Sequence, residues 1–105
     1  MTIKYPFRQI KRDTRQASTV CMMLLGIDGI KWADMDYAMG ISMMELTKQM
    51  KSPTREKALA CLINWFRFCD HLIMQLVDNK SRAGLLKELD KLKEPYKELL
   101  EVKTN

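Results

Sequence analysis

Histidine is nearly absent from this chain, with His71 the single example in 105 residues. A histidine-based triad or an HxxxH zinc pair therefore lacks members, and a catalytic His71 would still need a nucleophile and an orienting group that no motif supplies. Glycine is scarce too. Gly26, Gly29, Gly40 and Gly84 stand singly, so neither GxGxxG nor GxxxxGK[ST] occurs and no phosphate-cradling loop is expected. The cysteines, Cys21, Cys61 and Cys69, form no CxxC pair, and Cys69 and His71 stand two apart, on different faces of a helix. Three is an odd count set in apolar text, which predicts small buried hydrophobes in a reducing cytoplasm rather than disulfides. Long apolar runs are missing as well. Outside one helical stretch the longest is Val20 to Leu25, and Met1 opens a basic, polar segment without a secretory h-region, so neither export nor a membrane span is expected. No catalytic, cofactor-binding or metal-binding residue emerges, and the chain is not expected to be an enzyme.

What is present is apolar helical text. A hydrophobic content of 47% beside 30% charged residues fits one soluble globular domain. From Ser52 to Asp78 no glycine interrupts the chain, and Ser52 followed by Pro53 reads as an N-cap and first helical position. Ala58, Leu62, Trp65, Phe66, Cys69, Leu72, Ile73, Leu76 and Val77 recur at three- and four-residue spacing, and Leu59 and Ile63 widen the arc. A helix of that reach, roughly 40 Å, exceeds the diameter of a domain of this size. A partner subunit is the simplest cover, which makes Leu62, Trp65, Phe66, Cys69, Leu72 and Ile73 candidate interface residues. Asn64, Arg67, His71, Gln75 and Asp78 form a narrow polar row on the same helix, either a solvated seam or an interfacial hydrogen-bonding row that fixes register.

Charge is localised. Residues 1–15 hold Lys4, Arg8, Lys11, Arg12 and Arg15 against a single acid, Asp13, and so carry nearly all of the chain's net charge of +5. With Tyr5 and Phe7 interleaved, residues 1–12 read as a basic arm that neutralises phosphates, lies on an acidic protein face, or is simply a solvated tail. A single helical domain, residues 13–105, is expected to follow. Asp13 and Gln16 resemble a capping box for a first helix ending near Gly26. Ile30 to Met39 reads as a short helix stopped at Gly40, and Ser42 with Glu45 as a capping box for another through about Met50. Seven of the nine methionines fall between Met22 and Met50, suited to an irregular core or to an adaptable partner surface.

Met35, Met39, Gly40, Ile41 and Leu46 have helix-turn-helix spacing. Asp36, however, stands where a small residue should pack, and the second helix offers base edges little beyond Thr47, Lys48 and Gln49. Two capped helices meeting at a glycine explain the same residues. Towards the end, Leu85, Leu89, Leu92, Tyr96 and Leu99 form the stripe of an amphipathic closing helix, which Pro95 should end or kink near Glu94.

Phe66-Arg67-Phe68, then His71, Gln75-Leu76 and Ser81-Arg82, match in order and type a stretch of the FlhD family of bacterial transcriptional activator subunits, which this segment, residues 65–86, resembles. Gly40-Ile41 is similar too. The resemblance implies an all-α fold of about five helices with one long central apolar helix, an interwoven homodimer, and assembly with a zinc-containing FlhC-like partner. Such a complex binds promoter DNA and activates transcription through RNA polymerase, while this subunit itself holds no zinc. A family cysteine that bridges subunits falls at Asn64 here, which speaks against such a disulfide. The runner-up expectations are a mobile-element inhibitor of a host enzyme and a stand-alone helix-turn-helix regulator.

Overall fold

The computed structural model describes residues 5–28, 31, 36–37, 40, 42–51, 54–75 and 83–100. Every regular element among them is helical: α1 (Phe7–Asp28), α2 (Met43–Gln49), α3 (Arg55–Gln75), α4 (Ala83–Lys93), a 3₁₀ turn (Glu94–Tyr96) and a last turn, α5 (Lys97–Leu100). The all-α expectation holds. α1 and α3 make the broadest contact, α4 also lies against α1, and α2 lies against α3.

The pairing follows from spacing. On α1, Ile10, Ala17, Val20, Cys21, Leu24 and Leu25 are buried at three-, four- and seven-residue intervals, one stripe of a 3.6-residue helix. On α3, Ala58, Cys61, Leu62, Trp65, Phe66, Phe68, Cys69 and Leu72 are buried over a wider arc, so this helix takes contacts from α1, α2 and the closing segment. The three cysteines are free and buried, as expected. Cys61 donates to the Leu46 carbonyl at 3.3 Å, anchoring α2 on α3, and Cys69 lies 4.0 Å from the Ala17 carbonyl between α3 and α1.

Four expectations about element limits change. The basic arm is helical from Phe7, because Pro6 fixes the preceding φ and its carbonyl accepts from Ile10 N at 3.0 Å, closing the first helical turn. Asp13 is therefore no N-cap; it lies inside α1, buried. The same helix continues through Gly26 to Asp28, since a lone glycine weakens a helix by only about 1 kcal/mol against alanine. α3 is capped by Thr54 rather than Ser52: Thr54 Oγ1 accepts from Lys57 N at 3.2 Å and its carbonyl accepts from Ala58 N at 2.9 Å. Ser52, Pro53 and residues 76–82 lie outside the described residues.

Other signals hold. Ser42 caps α2, its hydroxyl accepting from Glu45 N at 3.3 Å. Gly40 adopts φ +67°, the left-handed conformation that closes a helical turn, and its N–H donates to the Asp36 carbonyl at 2.9 Å. Met35, Met39 and Ile41, needed to judge a helix-turn-helix, lie outside the described residues; Leu46 is buried. Pro95 converts the end of α4 into the 3₁₀ turn, which drives Tyr96 into the core.

Candidate nucleic-acid interface

Arg8, Lys11, Arg12 and Arg15 follow i, i+3, i+4 and i+7 spacing, which places them on one face of α1, and all four are exposed. The opposite stripe, with Ile10 and Ala17, is buried and sets the rotation of the helix. The first turn of α1 contains no acid. Arg8 lies in that turn and adds to the positive end of the helix dipole, which works against stability by about 0.3–1 kcal/mol, while Lys11, Arg12 and Arg15 lie beyond it and extend the positive surface. Lys11 Nζ lies 5.2 Å from the centre of the Phe7 ring, a cation–π contact that holds the ammonium over the helix start. Phe7, Arg8, Lys11, Arg12 and Arg15 line a shallow hollow of about 380 Å³. Lys4, the fifth cation of the expected set, lies outside the described residues.

This cationic face is held from beneath by Asp13. Its carboxylate is 4% exposed, accepts from the Tyr96 hydroxyl at 2.6 Å, and receives Arg12 Nε at 3.2 Å. Tyr96 is fully buried, stacked on Tyr5 with ring centres 5.2 Å apart and tilted against Phe66 at 5.9 Å. Burial pushes the Tyr96 phenol well above its ordinary range, and its hydrogen bond to Asp13 acts in the same direction. Arg55 Nε donates to the Tyr5 carbonyl at 3.0 Å, tying the segment before α1 to the start of α3. Tyr5 itself has φ +62°, a strained conformation for a non-glycine residue that these contacts sustain.

A second hollow, of about 200 Å³, adjoins the first and shares Lys11 and Arg15 with it. Thr14 and Ser18 of α1, Thr47 and Met50 at the end of α2, and Trp65 of α3 complete its wall. Thr14 Oγ1 donates to the Ile10 carbonyl at 2.6 Å and Ser18 Oγ to the Arg15 carbonyl at 2.8 Å. Sequence reasoning missed this meeting of three helices. The i, i+3, i+4, i+7 spacing of the four cations was the signal that the arm is helical, and Thr14 and Ser18 continue that helix.

Of the six expected interface residues, Trp65 walls this second hollow and the other five sit elsewhere. Leu62, Trp65, Phe66, Cys69 and Leu72 are buried within this chain, and Ile73 is half-buried against the same core. Cover for the apolar arc comes from α1 and the closing segment, and the described part of the helix, Arg55–Gln75, runs about 31 Å. Of the polar row, Arg67 is exposed and Asn64 and His71 are half-buried; the side chain of Gln75 and the whole of Asp78 lie outside the described residues. Next to that row Asp70 pairs with Lys93 of α4. The buried thiols are poor nucleophiles. Burial pushes Cys61 up to about 11, and Cys69 is raised by its hydrogen bond with Cys21 and then by burial.

Among the described residues no group of three or more His, Cys, Asp or Glu side chains is placed to hold a metal ion, and no helix is long and apolar enough to cross a membrane. Compared with protein-family models, with curated proteins and with solved structures, the chain matches none.

Proposed function

We propose that this chain is a non-enzymatic, nucleic-acid-binding subunit of a transcription regulator and that it engages phosphates through Arg8, Lys11, Arg12 and Arg15. One observation carries the reading: four exposed cations share one face of the first half of α1, where Asp13, which receives Arg12, is the single acid among residues 7–15. The resemblance over residues 65–86 points to the same class of protein. It adds a zinc-containing FlhC-like partner, promoter DNA as the target of the joint complex, RNA polymerase as the machinery served, and self-association of this subunit.

The test is the salt dependence of binding to a fluorescein-labelled oligonucleotide. Each phosphate contact contributes about 0.9 to the slope of log K against log salt on duplex DNA and about 0.7 on a single strand. Replacing all four cations by alanine should therefore lower the slope by roughly 3. An unchanged slope would sink the reading. A second reading, an inhibitor that occupies a host enzyme, draws on exposed apolar side chains: Tyr37 is 91%, Met44 60% and Met23 53% exposed. Pull-down from the native host separates the two, since an activator subunit brings a zinc-bearing protein and an inhibitor brings a single unrelated enzyme.

A further inference from the structure

We propose that the hollow walled by α1, the end of α2 and Trp65 receives one unstacked nucleobase, so that the form of nucleic acid this chain prefers is a single strand. This rests on the phosphate-binding reading above and narrows it. Continuity is the first observation. Lys11 and Arg15 line both the cationic hollow and this one, so a strand whose phosphates lie along Arg8, Lys11 and Arg12 is led to the mouth of the second. From residue 8 to residue 15 the helix rises about 10 Å, the length of about three nucleotides at the stacked rise of 3.4 Å per strand.

Size is the second observation. At about 200 Å³ the space exceeds the roughly 150 Å³ that accommodates a benzene ring and falls short of the roughly 300 Å³ where drug-sized pockets begin, so it suits one flat ring system. The third is chemical. Because the hydroxyl protons of Thr14 and Ser18 are already given to the Ile10 and Arg15 carbonyls, these side chains face a guest as acceptors. Lys11 and Arg15 face it as donors, while Met50 and Trp65 offer a polarizable apolar wall. A ring with an amino donor beside carbonyl or ring-nitrogen acceptors, apolar on its faces and tethered to a phosphate, answers all of these. That is a nucleobase in a strand. In a duplex the same edges are paired and the faces stacked, and extracting a base forfeits both. A cationic groove that tracks the backbone, beside a surface that receives the bases, is the general plan of single-strand binding.

The experiment uses the full chain and three fluorescein-labelled 12-mers in fluorescence anisotropy: a mixed-sequence single strand, the same strand annealed to its complement, and an abasic 12-mer with the same phosphates. The single strand should bind about tenfold more tightly than the abasic strand and more tightly than the duplex. Ser18→Leu, which fills the pocket from a half-buried position, should lower single-strand affinity to the abasic level. Circular dichroism verifies that the variant is folded. In a Trp32→Phe background, where Trp65 is the remaining indole, the intact single strand should change tryptophan emission and the abasic strand should not. Equal affinity for intact and abasic strands, or tighter binding of duplex, overturns the base pocket and leaves phosphate binding standing. Absence of binding to all three at low salt overturns both.

Discussion

Helices α1 and α3 are almost equal in length, 22 and 21 residues, and run against one another, yet they divide the work unequally. α3 buries the bulky aromatic side chains, Trp65, Phe66 and Phe68, and meets both α1 and α2. α1 buries a stripe of small and aliphatic side chains and leaves four cations on the opposite face. Like charges gathered on one exposed face without touching the core are the kind that serve something outside the fold. Burial on α3 thus marks the scaffold, and charge on α1 marks the surface that the scaffold presents.

The sharpest way to break this division is to strike the scaffold. Phe66→Ala should lower unfolding free energy by about 3–5 kcal/mol, the usual result of emptying an aromatic site in a close-packed core. Urea denaturation measures it, and a loss below about 1 kcal/mol would deny α3 its central role. Tyr96→Phe leaves the buried Asp13 carboxylate without its phenol partner and should remove about 1–3 kcal/mol. Double-mutant comparison with Asp13→Asn would show whether the two residues act as a pair.

Alkaline titration sharpens the same contrast. Cys61 moves from 9.0 to about 11 on folding, and Tyr96 is shifted upward as well. A raised folded value means that the native state holds its proton more firmly than the unfolded chain. Stability from these groups is therefore fully present below about pH 9 and drains away as pH climbs towards 11 and beyond. Thermal melts at pH 8, 9.5 and 10.5 should show a falling midpoint, and Cys61→Ala should flatten the first part of the fall. Next in size is Thr54→Ala, which removes the α3 cap and should reduce stability by about 1 kcal/mol in the same urea assay. At the small end, Arg8→Ala should alter stability by less than about 0.5 kcal/mol while measurably reducing the salt slope of oligonucleotide binding. A large stability change there would mean that Arg8 belongs to the scaffold after all.

Much of the helical plan was legible in the residues. The Ser42 cap, the Gly40 turn, the break at Pro95 and the burial of three cysteines all rest on local chemistry that a sequence displays directly. The start of α1 was misread because Asp13 has the side chain of an N-cap, and side-chain type outweighed the spacing of the cations before it. Its actual partner is Tyr96, 83 positions away, and no local pattern announces so distant a contact. The apolar arc of α3 does not name the helices that lie on it, because covering helices have no signature of their own. α1 hid its covering stripe behind a basic surface, and the closing segment hid Tyr96 behind a proline.

The Asp13–Tyr96 hydrogen bond also sets a clock during synthesis. Translation at about 5–20 residues per second separates the emergence of the two residues by roughly 4 to 17 s. Through that interval the carboxylate lacks its phenol and the ring of Tyr5 lacks its stacking partner, so the first turns of α1 leave the ribosome with their charges in place and their anchor still unmade. A nascent chain arrested between the two residues would carry the four cations without the Asp13–Tyr96 contact that holds their helix in the fold.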